Sequence, residues 1–122
     1  MPVYPRGMNS VNLIGNLATD VELRDVGGEK KVANFLLAVD HGGADGGADF
    51  VWISAWDRQG EVCAEYLGKG SRVGVEGRLK SRTWEKDGER RDRVEVTARR
   101  VEFLSAPSRA GGEVIPFEAA TA

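Results

Sequence analysis

Phe50, Trp52 and Trp56 fall within the run "DFVWISAWDR" (49–58), in a chain whose aromatic content is only 7%. An extended strand alternates its side chains between two faces. Phe50, Trp52, Ser54 and Trp56 then share one face, and Val51, Ile53 and Ala55 take the other. The second set makes a core face without help from the first, so the rings are left to offer flat π surfaces for stacking. The run "SRVGVEGRLKSRTW" (71–84) repeats the two-residue period. If Val73, Val75 and Leu79 face a core, then Arg72, Gly74, Glu76, Arg78, Lys80, Arg82 and Trp84 face outward. Cations in a row leading to a tryptophan suit a polyanion carrying unpaired bases, because phosphates are drawn to the charges while bases stack on the rings. Outward Arg and Lys are also common solubility devices, and Phe50, Trp52 and Trp56 equally suit a subunit interface. Both alternatives stay open. Trp84, at the root of a hairpin rich in Lys and Arg, is a poor place for a dry protein contact.

Other chemistry has little to stand on. His41 is the only histidine and sits in a glycine-rich loop, which favours a surface role over a catalytic one. Cys63, the only cysteine, lies on the apolar stripe of a helical stretch and reads as core rather than nucleophile. No Cys/His spacing fits zinc. "GGADGGAD" (42–49) is one copy of a glycine-aspartate pattern, too short for a calcium repeat, and no glycine run has the spacing of a phosphate loop. The reading is a binding protein, with no enzyme activity, metal or cofactor.

The elements that must hold these residues are short. "SVNLIGNL" (10–17) reads as a first strand, with "VELR" (21–24) as an extension beyond it and "DVGGEK" (25–30) as a turn. "VANFLLAVD" (32–40) is a second strand with Ala33, Phe35, Leu37 and Val39 on one face, and 50–56 is the third. "QGEVCAEYLGKG" (59–70) switches to helical period and stops at its glycines. The fourth strand spans 71–84, Asp87-Gly88 marks a hairpin, and the fifth spans 93–104. In that last strand Val94, Val96 and Ala98 are in phase, whereas Val101 and Phe103 are not, which predicts a bulge near Arg99-Arg100. The expectation is an all-β fold, a five-stranded Greek-key barrel of the OB type with one helix between strands three and four. At 122 residues the chain makes one domain with short extensions. Its net charge of −2 hides a basic region, since between Arg72 and Arg100 basic residues outnumber acidic ones. A lone cysteine, no signal-peptide pattern and no membrane-spanning run point to the cytoplasm.

These residues resemble a known family. "MNSVNLIGNLATDVELR", "VANFLLAV", "EVCAEYLGKGSRVGVEGRLKSRTW" and "VEVTARRVEFL" are similar, in order and spacing, to the bacterial single-stranded DNA-binding protein family over residues 8–104. Residues 1–7 are then an N-terminal extension, and 105–122 a short tail. The resemblance implies sequence-independent binding and protection of single-stranded DNA during replication, recombination and repair, by a homotetramer built as a dimer of dimers and associated with the nucleoid. It implies base stacking on Phe50, Trp56 and Trp84. Phe50 stands where many members have tryptophan, and Trp56 where many have phenylalanine. It implies basic contacts from Arg24, Lys69, Lys80 and Arg82; strand alternation adds Trp52 to the stacking rings, and the charge pattern adds Arg78 and Arg91 to the cations. A further stacking tryptophan of many members would fall near Gly43, where this chain has none, and Gly74 replaces a larger residue at a dimer contact. The family's partner-recruiting acidic tip is matched only by Ile115, Pro116 and Phe117, with one glutamate before them and five residues after, which weakens any expectation of tail-borne partners. The alternatives are a paralogue specialised for natural transformation, an accessory OB protein of replication restart acting mainly through protein contacts, and RNA as ligand.

Overall fold

Alternation decides which side of each strand is sealed. In the computed structural model, which describes residues 7–104, the strands are β1 (Val11–Leu17), β2 (Glu22–Gly27), β3 (Lys30–Asp40), β4 (Ala48–Trp56), β5 (Arg72–Lys86) and β6 (Glu89–Phe103). One helix, α1 (Asp57–Tyr66), separates β4 from β5. Ala33, Phe35 and Leu37 of β3 meet Ile53 and Ala55 of β4, Val73 and Val75 of β5, and Val96 and Ala98 of β6. Leu17 closes the core from β1, and Cys63 and Leu67 close it from the helix and the residue after it. β3, β4, β5 and β6 each contribute alternate side chains to it, as the two-residue period requires.

The strands form a single mixed sheet in the order β1-β5-β6-β4-β3-β2, with a further contact between β1 and β3 at Asn16↔Ala38 and Leu17↔Leu37. All neighbours are antiparallel except β4 and β6, which run parallel through Ile53↔Val96 and Ser54↔Thr97. The longest ladder joins β5 to β6 across Asp87 and Gly88. Both of these residues have positive φ, at 53° and 78°, as a two-residue hairpin turn whose twist matches its strands demands.

Several expectations from the sequence are corrected. The sheet has six strands and is not the five-stranded Greek-key barrel of the OB type. Residues 22–27 do not merely extend the first strand, since they pair along β3 through a turn at Gly28-Glu29, where φ is again positive. That extra strand puts the helix after the fourth strand rather than the third. Leu79 and Val94, assigned to the core by period, are 49% and 58% exposed. β1 runs beside β5 only as far as Val11↔Gly77, and among the described residues the core takes no side chain from β5 beyond Val75 or from β6 before Val96.

The bulge expected near Arg99-Arg100 is present, because Glu76 pairs with Arg100 while Gly77 pairs with Ala98, leaving Arg99 over. Gln59 of α1 repairs the interrupted ladder. Its Nε2 donates to the Ala98 carbonyl at 3.4 Å and its Oε1 accepts from the Val101 amide at 2.8 Å. A side chain on Gly77 would collide with the Thr97 carbonyl, so the close approach at the bulge needs glycine. Gln59→Ala strands both backbone groups and is expected to destabilise the fold by about 1–3 kcal/mol in urea unfolding. An unchanged midpoint would mean that the bulge needs no clamp.

Candidate nucleic-acid interface

The face of β4 opposite the core carries Phe50, Trp52, Ser54 and Trp56, opposed across the β3 ladder by Ala38, Leu36, Asn34 and Val32. β2 widens this surface by setting Glu22 beside Asn34 and Arg24 beside Val32. From the other side the β5–β6 hairpin brings Arg78↔Thr97, Lys80↔Glu95, Arg82↔Arg93 and Trp84↔Arg91, and directly opposed residues share a face. Between the two walls lie adjoining hollows. One, of about 420 Å³, is bounded by Trp52, Trp84, Arg24, Arg82, Arg93, Asn34 and Glu22. The other, of about 310 Å³, lies between Trp56 and Lys80 and shares Arg24 and Arg82 with the first. A further concavity, of about 290 Å³ beside Ile14 and Gly74, lies away from the rings, on the β1 side.

A polar layer underlies the rings. The Glu95 carboxylate, with only 4% of its side chain exposed, accepts from Ser54 Oγ at 2.8 Å and from the Arg93 guanidinium at 3.0 Å. Arg82 Nη1 lies 3.7 Å from the same carboxylate. Asn34 Nδ2 donates to Ser54 Oγ at 2.8 Å, and Arg24 donates to Asn34 Oδ1 at 3.3 Å. Burying a carboxylate is costly unless it is paired and hydrogen-bonded, and here it is both. The Arg93 guanidinium lies 4.8 Å from the ring centre of Trp52 and 5.8 Å from that of Trp84, within range of a cation–π contact with each.

The structure thus gathers Trp52, Trp56, Trp84, Arg24, Lys80 and Arg82 around two hollows. Phe50, 62% exposed, continues the row along β4 without lining either hollow. Arg78 lies along β5 from Lys80, and Arg91 opposes Trp84 while pairing with Glu89 at 3.3 Å. Lys69 is not part of the group. It lies in the turn after α1, where its amide donates to Asp20 Oδ1 at 2.9 Å. Ile115, Pro116 and Phe117 lie outside the described residues. Sequence reasoning missed Arg93, Glu95, Asn34 and Ser54 as members of the site. The hairpin turn at Asp87-Gly88 held the signal for the first two, because counting back from it pairs Arg93 with Arg82 and Glu95 with Lys80.

The groups considered for other chemistry are placed differently. Cys63 is buried, and that burial pushes its thiol up to about 12. His41 is exposed in its loop, with Nε2 2.9 Å from Asp49 Oδ1. Among the described residues no cluster of His, Cys, Asp or Glu could hold a metal, and no helix is long and apolar enough to cross a membrane.

Residues 8–104 match the single-strand binding protein family. The chain belongs to that family. Among its relatives, single-stranded DNA-binding protein 1 of Chlorobaculum tepidum is 36% identical over 115 residues, covering 88% of this chain and 71% of that protein. Single-stranded DNA-binding protein 3 of Clostridium acetobutylicum is 44% identical over 102 residues, covering 80% of this chain and 71% of its own. The single-stranded DNA-binding protein of Bacillus cereus is 43% identical over 111 residues, covering 87% and 65%. The match takes in every strand from β1 to β6 and so includes both walls of the ring-bearing face.

The raised Cys63 pKa fixes a sign. A thiol kept neutral in the folded chain supports the fold fully below about pH 9, its ordinary value, and that support is lost as pH rises toward 12. Native protein at pH 8 is expected to leave Cys63 unreacted with a thiol-specific chromogenic reagent until denaturant is added. Full reaction of the folded protein within mixing time would contradict the buried placement.

Proposed function

We propose that this protein binds single-stranded DNA without sequence selection and protects it during replication, recombination and repair. Membership of the single-strand binding protein family supports the reading. The observation that carries its mechanism is the row of Phe50, Trp52 and Trp56 facing Trp84 across hollows edged by Arg24, Lys80 and Arg82. Bases stack on the rings, at about 1–3 kcal/mol each, and every base has a π face, which makes the contact tolerant of sequence. Lys80, Arg82, Arg24, Arg78 and Arg91 draw the phosphates. The ion pair of Arg24 with Glu22, at 4.0 Å on the surface, is too weak to withhold its cation from a phosphate. Lys69, which lines neither hollow, adds its charge to the attraction of the phosphates rather than to a stacking subsite. Nothing in this mechanism calls for catalysis, a metal or a cofactor.

The reading extends to a homotetramer arranged as a dimer of dimers, in the cytoplasm and associated with the nucleoid. Two features support self-association. β1 pairs with β3 only at Asn16 and Leu17, which leaves most of that edge of β1 without a neighbouring strand among the described residues. Ile14 is exposed beside the concavity that includes Leu13, Gly74 and Val75. Exposed edges and apolar patches are the usual places for a second chain.

Oligo-dT is expected to quench the tryptophan fluorescence of the protein, and Trp84→Ala to weaken binding by about 1–3 kcal/mol. Lys80→Met is expected to lower the slope of log affinity against log salt by about 0.7, as one lost phosphate contact on a single strand should. Fluorescence that stays constant while oligo-dT is added at low salt would overturn the reading.

A further inference from the structure

We propose that Arg93 positions Trp52 and Trp84 for base stacking and does not itself hold a phosphate, an inference that rests on the single-strand reading above. Its charge is already committed, because the guanidinium donates at 3.0 Å to Glu95, whose side chain is almost wholly buried. A phosphate that drew Arg93 away would leave that carboxylate with the neutral Ser54 hydroxyl and with Arg82, at 3.7 Å, as its one remaining cation among the described residues, and a buried charge robbed of its main partner is strongly unfavourable. Arg24 and Lys80 carry no such tie to a buried charge, since Arg24 meets the exposed Glu22 carboxylate and the neutral amide of Asn34, and Lys80 is itself exposed.

The rest of the Arg93 side chain fits the same role. Its planar head lies against two indoles brought from different strands, Trp52 on β4 and Trp84 on β5. Its Nε is buried without an acceptor among the described residues, so the ring faces and the carboxylate, not full hydrogen bonding, set its position. A planar cation stacks on aromatic faces in a way an ammonium on a flexible stem does not. Held in this way, the two rings keep a fixed spacing while their remaining faces stay open to bases.

The test compares wild type, Arg93→Met, Arg93→Lys and the double substitution Arg93→Met with Glu95→Gln. Binding of labelled oligo-dT is followed by anisotropy over a series of salt concentrations. Arg93→Met is expected to weaken binding about tenfold at every salt concentration, with the slope of log affinity against log salt unchanged from wild type. Tryptophan emission of the free protein should change, since a cation leaves two indole faces. Arg93→Lys should not restore affinity. The double substitution removes both charges of the buried pair, should give the same slope, and carries the test if the single one does not fold. A slope lowered by about 0.7 in either methionine form and restored by lysine, or an affinity equal to wild type, would overturn the proposal. Wild type that fails to bind would overturn the functional reading itself, and this inference with it.

Discussion

Everything on the ring-bearing surface depends on the division of β4 between two faces. Ile53 and Ala55 are sealed in the core, and a register shift of one residue would exchange them for Trp52, Ser54 and Trp56. The inner side leaves no room for such an exchange. Gly60 of α1 sits so close to β4 and β3 that a side chain there would collide with the Ala55 carbonyl and press on Ala33. With small residues locked against the helix on one side, the large rings have only the other side to occupy.

What lies beneath the rings matters as much as their direction. Had the layer under them been apolar, Trp52 and Trp84 could settle into it and bury their faces. Instead it holds Glu95, Ser54 and Asn34, joined by hydrogen bonds and tied outward to Arg93, Arg82 and Arg24. A buried carboxylate adds little to stability and can cost some, so its value here is geometric. It anchors cations at fixed points and gives the indoles a polar floor. The surface that results is cationic at its edges and tied together by hydrogen bonds at its centre.

Much of this could be read in the sequence, for reasons particular to each segment. The alternation in 50–56 separated rings from core correctly, because both sets are complete over the same few residues. The phase break between Ala98 and Val101 located the bulge, since only an extra residue lets both sets face inward. The number of strands could not be read so directly. "VELRDV" buries no side chain at all, so it lacks any apolar period, and only its backbone pairing with β3 makes it a strand. Leu79 and Val94 kept the period of their strands but lost the layer that would have covered them, which no local pattern records. Lys69, named from its position in the family pattern, lies in the turn after α1 and lines neither hollow. Arg93 was legible only through the hairpin count, which reads pairs rather than single residues.

The central claim is that indole faces on this surface receive unpaired bases, and indole proton resonances test it most directly. On titrating oligo-dT into the isotopically labelled protein, the Nε1–H signals of Trp52, Trp56 and Trp84 should move upfield together, with ring protons of Phe50 following, as stacked bases impose their ring currents. Indole signals that hold still while amides along β1 or elsewhere shift instead would contradict it.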